Sequence, residues 1–122
     1  MANVRQISVF MDNKPGQLSG VMEIIKESGI NVRALSLADT KDFGILRIIV
    51  HDTEKAVDAL KDAGYAVTVN EIVAITIPDS PGQLSRVLEI LGSCDSEKIL
   101  AEFHIVHLSA ANHDRIGLFA VI

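Results

Sequence analysis

The sequence predicts an α+β fold built from two related units: a strand–helix–strand–strand–helix–strand unit over residues 1–71, then a strand–helix–strand–strand unit over residues 72–122. Three observations predict it. The eleven residues at 15–25, PGQLSGVMEII, recur 66 positions later at 81–91 as PGQLSRVLEIL, with eight identical. Each copy follows an alternating apolar run, Ile7, Val9 and Met11 in the first and Val73, Ile75 and Ile77 in the second, which is the period of a half-buried strand. Glycines stand where two helices should stop, at Gly29 and Gly64.

In the first unit, residues 5–11 read as a strand. Residues 17–28 read as a helix, with Leu18, Val21, Met22 and Ile25 spaced to share one inward stripe. Pro15 pre-sets the backbone at the helix entrance, and Ile30 follows Gly29 where it can pack back on the last turn. Residues 31–37 and 44–50 read as strands joined by ADTKDF, whose Asp and Thr favour a turn. A second helix over 53–63 is capped by Asp52 or Thr53 and turns Ala56, Val57 and Leu60 inward. A strand over 65–71 closes the unit. This order folds as an antiparallel four-stranded sheet with two helices on one face, the ferredoxin-like arrangement.

The second unit opens at once with a strand over 72–77 and a helix over 83–91, with Leu84, Val87, Leu88 and Leu91 inward, followed by strands over 98–109 and 116–122. The run GILRIIV at 44–50 resembles GLFAVI at 117–122, now at an offset of 73, so the second copy carries seven extra residues around 94–113. The second unit is expected to be incomplete, lacking the final helix and strand. Bare sheet edges of this kind predict a homodimer or close packing of the two units.

Composition excludes several function classes. Apolar residues make up 48% of the chain, enough for a core without staples, and the single Cys94 cannot close an internal disulfide. A reducing, cytoplasmic setting is the expectation. The N-terminus has no basic segment leading into an apolar one, and no apolar run reaches membrane-spanning length, so neither a secretory signal nor a membrane partner is expected. Sixteen acidic against eleven basic residues give a formal charge of −5, and aromatic residues are few, which argues against nucleic acid as a partner.

The four histidines, His51, His104, His107 and His113, predict no metal site: His104 and His107 on an extended strand face opposite ways, and no converging carboxylate or thiolate set accompanies them. Cys94 lacks any motif that would activate a nucleophile. No cofactor is expected. The charged residues of 52–62 read as a solvated helix face.

Two Pro-Gly-x-Leu turns after alternating strands, with Gly29-Ile30-Asn31 before the next strand, resemble the ACT family of small-molecule-binding regulatory domains. The resemblance covers nearly all of residues 1–71 and, more loosely, 72–122, and it is to stand-alone tandem proteins, since no room is left for a catalytic domain. It implies a non-catalytic regulator that holds an amino acid at an interface between ACT units, near the turn from first strand to first helix, and that acts on its own assembly or on a metabolic enzyme. By position it nominates Asp12, Asn13, Lys14, Pro15, Gly16, Gln17, Leu18 and Asn31, and from the second turn Asp79, Ser80, Pro81, Gly82, Gln83 and Leu84.

These residue types suit a zwitterion. A helix N-terminus offers free N–H groups and a favourable partial charge to a carboxylate, and Gly16 or Gly82 would expose those amides. Asp12 or Asp79 could receive the ammonium, and Asn13, Gln17 and Asn31 carry both donors and acceptors. The same turns serve equally as plain strand-to-helix connections, with Leu18 and Leu84 as core positions and Asp12 as a cap. A structural or dimerisation module with no small-molecule ligand is therefore the alternative.

Overall fold

The computed structural model describes residues 2–78, 80–92, 103–106 and 115–121. Its elements run β1 (Ala2–Asp12), α1 (Gln17–Glu27), β2 (Val32–Asp39), β3 (Phe43–Val50), α2 (Thr53–Asp62), β4 (Ala66–Pro78), α3 (Gln83–Gly92), β5 (Phe103–Val106) and β6 (Arg115–Val121). The chain divides into two compact units, Arg5–Asn70 and the remainder, Met1–Val4 with Glu71–Ile122. No helix among the described residues is long and apolar enough to cross a membrane.

The unit Arg5–Asn70 has the ferredoxin-like strand order β2-β3-β1-β4, with β3 antiparallel to both β1 and β2. The register pairs Ile7 with Ile48 and Val9 with Leu46, so the odd residues of β1 and the even residues of β3 share one face. That face carries the core: Ile7, Val9, Leu46 and Ile48 are fully buried against Val21 and Ile25 of α1 and Ala56 and Leu60 of α2. Burying branched side chains of this size contributes about 1.5–3 kcal/mol each and holds both helices on one side.

Both helices end alike. Gly29 and Gly64 adopt φ of 69° and 92°, and the next residues reach back, Ile30 N–H to Ile25 C=O at 3.1 Å and Tyr65 N–H to Leu60 C=O at 3.0 Å. These are Schellman closures, which need a residue without Cβ at the left-handed position. At the N-terminus of α2, the Asp52 side chain accepts from Lys55 N–H at 3.2 Å, which decides the cap in favour of Asp52.

Four readings of the sequence change, one of them at Leu88, whose spacing predicts an inward position on α3 but which is 39% exposed. The strands expected over 65–71 and 72–77 form one uninterrupted β4, because a Val/Ile/Thr-rich stretch without Gly or Pro has nothing to break it before Pro78. Leu18 is not a core residue but 37% exposed, while Val21 and Ile25 carry the inward stripe of α1. The cap of α1 is Gly16, not Asp12.

In the other unit, β4 pairs with β6 from Ile72–Val121 to Pro78–Arg115, and β6 pairs with β5, both antiparallel. The expected strand over 98–109 is described only at Phe103–Val106. Asp79, Cys94, His107 and His113 lie outside the described residues.

Candidate functional site

Each of the two repeated turns is made by the same three backbone hydrogen bonds. In the first, Lys14 N–H donates to Asp12 C=O at 2.9 Å, Gln17 N–H to Lys14 C=O at 3.3 Å, and Gly20 N–H to Gly16 C=O at 2.9 Å. In the second, Ser80 N–H donates to Pro78 C=O at 3.0 Å, Gln83 N–H to Ser80 C=O at 3.3 Å, and Arg86 N–H to Gly82 C=O at 3.0 Å. Gly16 and Gly82 take φ of 87° and 85°. The left-handed conformation explains why both copies keep glycine there: a Cβ at either position would meet no atom within 4 Å, so backbone conformation alone makes the demand.

Gly16 caps α1 without a side-chain acceptor. The amides of Leu18 and Ser19 consequently have no hydrogen-bond acceptor among the described residues. Gln17, the first helical residue, is half-buried, whereas Asp12 to Gly16 are exposed. Lys14 Nζ lies 3.6 Å from Asp12 Oδ2, a solvated pair of little energetic weight that nonetheless occupies the Asp12 carboxylate.

Asn13 performs a task the sequence did not indicate. Its Nδ2 donates to Thr40 C=O at 2.8 Å and its backbone N–H donates to Asp42 C=O at 3.0 Å. Two bonds thus fasten the β1–α1 turn to the β2–β3 turn. The latter is closed in turn by Thr40, whose N–H donates to Phe43 C=O at 2.8 Å and whose hydroxyl accepts from Phe43 N–H at 3.2 Å.

Beside the fastened turns lies an open groove of about 790 Å³. Asp12 and Gln17 line it together with Phe10, Asp39, Phe43 and Tyr65. A smaller hollow of about 70 Å³ lies between the turn and β2, bordered by Asn13, Lys14, Leu18 and Leu37. The β1–α1, β2–β3 and α2–β4 connections meet at this one end of the sheet. Antiparallel β2 and β3 put their hairpin level with the end of β1, and Gly64, Tyr65 and Ala66 complete the groove wall.

Of the nominated residues, five border these cavities: Asp12, Asn13, Lys14, Gln17 and Leu18. Pro15 and Gly16 shape the turn without lining either. Asn31 sits at the opposite end of β2, where its backbone N–H donates to His51 Nδ1 at 2.9 Å and its C=O accepts from His51 N–H at 3.2 Å. An eight-residue strand separates it from the hairpin, roughly 26 Å at the usual rise, so within one unit Asn31 does not join the others. Ser80, Pro81, Gly82, Gln83 and Leu84 form the second turn, and none of them borders either cavity. Among the described residues no group of His, Cys, Asp or Glu converges as a metal site.

Phe10, Asp39, Phe43 and Tyr65 escaped the sequence reading. The signal available was the alternation of β3: Gly44, Leu46, Ile48 and Val50 take the core register, which leaves Phe43 and Ile45 as apolar residues on the face opposite α1 and α2.

The family model describing an ACT domain pair matches residues 2–109. Among solved structures, a protein from Bacteroides thetaiotaomicron is 36% identical with a TM-score of 0.83 over 97% of this chain and 78% of that one. The regulatory subunit of aspartate kinase from Thermus thermophilus, at 17% identity, superposes with a TM-score of 0.71 over 98% of this chain and 85% of its own. The corresponding subunit from Thermus flavus gives 0.69 at 18% identity, over 98% and 86%. No curated protein sequence matches. ACT domains are regulatory modules that bind small molecules, and by the extent of the match this chain belongs to the family of ACT domain pairs.

Proposed function

We propose that this protein is a non-catalytic regulator whose first ACT domain, residues 1–71, binds an amino acid at the β1–α1 turn, with residues 72–122 as the second domain. The observation that carries the reading is the uncapped start of α1: Gly16 at φ 87° leaves the Leu18 and Ser19 amides without acceptors among the described residues, next in the chain to Gln17, which lines a groove that also presents carboxylates. Amides suit the ligand carboxylate, and Asp12 or Asp39 suits its ammonium. The ligand acts by linkage, favouring whichever assembly it binds more tightly, and a metabolic enzyme is the natural recipient of the signal in a cytoplasmic setting.

Asn31 fits this reading through a second copy. If β2 edges of two molecules run antiparallel, the start of one β2 lies beside the end of the other, and Asn31 reaches the partner's turn. Leu35 and Leu37 at this edge are 44% and 45% exposed, which supports pairing of copies there. The same observation favours the second reading, a dimerisation module without ligand.

A thermal-shift and calorimetric screen of the twenty amino acids at millimolar concentration separates the two. Stabilisation by at least one, abolished in Gly16→Val while assembly persists, is the expected outcome. A silent screen overturns amino-acid binding and leaves the dimerisation module.

A further inference from the structure

We infer that the ligand of the first unit is an α-amino acid with a large, uncharged, apolar side chain, seated over Phe10, Phe43 and Ile45; this rests on the amino-acid-binding reading above. The groove is of ordinary ligand-pocket size at about 790 Å³, several times what a glycine or serine could fill. Its chemistry is asymmetric. Phe10, Phe43, Ile45 and Tyr65 form the walls, the only charged groups among its described lining are Asp12 and Asp39, and neither Lys nor Arg lines it.

Phe43 is 64% exposed and Phe10 42% exposed, on the sheet face that carries no helix of this unit. Two aromatic rings left in water beside a polar turn are surface that an apolar side chain would cover, and offset contact between rings adds to the gain. An acidic ligand side chain would face two carboxylates, and Lys14, which lies 3.6 Å from Asp12, is outside the groove lining. A basic side chain would carry a second ammonium along apolar walls. Of the two carboxylates Asp39 is the freer to receive an ammonium: it has no hydrogen-bond or ion-pair partner among the described residues, whereas Asp12 lies 3.6 Å from Lys14 Nζ.

Tyr65 supplies the readout. It is the only tyrosine and the chain has no tryptophan, so intrinsic fluorescence comes from this one groove residue. The experiment titrates the full chain with leucine, isoleucine, methionine, glycine, serine, aspartate and lysine, followed by tyrosine fluorescence and calorimetry, and with phenylalanine by calorimetry. The large apolar members are expected to bind and to perturb Tyr65, with affinity lowered about tenfold in Phe43→Ser and in Asp39→Asn. Phe43 is mostly exposed, so its replacement leaves the core intact.

Binding of serine, glycine, aspartate or lysine in preference to the apolar set overturns the inference while amino-acid binding stands. Undiminished binding of leucine by Phe43→Ser, with Tyr65 fluorescence unmoved, places the side chain elsewhere and also overturns it. No binding by any of them overturns the inference, and silence across all twenty amino acids removes the reading beneath it as well.

Discussion

At Gly20 the missing side chain is what lets two elements meet. A Cβ there would approach Tyr65 Oη to 3.1 Å, closer than such atoms ordinarily come, and the repeat carries Arg86 at the equivalent place. The one non-conservative difference inside the eleven-residue repeat thus falls where Tyr65, a groove residue of the first unit, leans on α1. Gly20→Ala sets two effects of similar size against each other: a gain of up to about 1 kcal/mol in helix propensity, and the cost of shifting a tyrosine hydroxyl by a few tenths of an ångström. Stability in urea is expected to change by less than about 1 kcal/mol. Tyrosine fluorescence should change, and should change further in Gly20→Arg, which must expel the ring. An unaltered spectrum in Gly20→Arg would mean that Tyr65 does not rest on α1.

Among elements, the β1–α1 turn is held from two sides, by its own backbone bonds and by Asn13 reaching to the β2–β3 turn. The ring of hydrogen bonds from Asn13 to Thr40 and from Thr40 to Phe43 sets where the Phe43 strand start lies relative to the turn. Because these groups are exposed, Asn13→Ala should cost at most about 1 kcal/mol of global stability. Its larger effect is local: amide exchange at Thr40 and Phe43 should quicken, and any ligand binding at the turn should weaken, since the groove would no longer be pre-formed. Exchange rates equal to the parent's would show that the hairpin keeps its place without the side chain. On the far side of the unit, His51 closes the start of β2 by accepting from Asn31 N–H. His51→Ala is expected to loosen that end and leave the groove untouched, as read by exchange at Asn31 against exchange at Thr40.

For the whole molecule, the apolar residues that remain in water outline what it does with others. Leu18 and Leu37 border one small hollow, and Leu35 and Leu37 lie on the outer strand of the first unit's sheet, which has β3 as its one neighbour among the described residues. An open, leucine-bearing edge favours pairing with a second chain. Leu37→Lys places a charge on this edge at a position already 45% exposed, so folding should be retained while self-association falls by at least about tenfold in sedimentation equilibrium. A variant that associates as the parent does would move the interface away from β2. The same variant should also lose the contribution of Asn31 to ligand binding if that residue acts on a partner's turn.

The sequence by itself determined the elements of the first unit and the turn that defines the candidate site. Local rules suffice for these: period-two and period-3.6 patterns choose strand and helix, and a left-handed C-cap or turn admits little but glycine, so Gly16, Gly29 and Gly64 are legible without a fold. The family, too, was readable from the doubled Pro-Gly-Gln-Leu. What tertiary structure alone decided is which distant residues share the end of the sheet. Phe10, Asp39, Phe43 and Tyr65 come from four different segments, and Asn31, close to the motif in family pattern, lies a full strand away from it. No periodicity encodes such proximity. It follows from the antiparallel path of β2 and β3, which brings the β2–β3 hairpin level with the β1–α1 turn and carries the start of β2 to the other end.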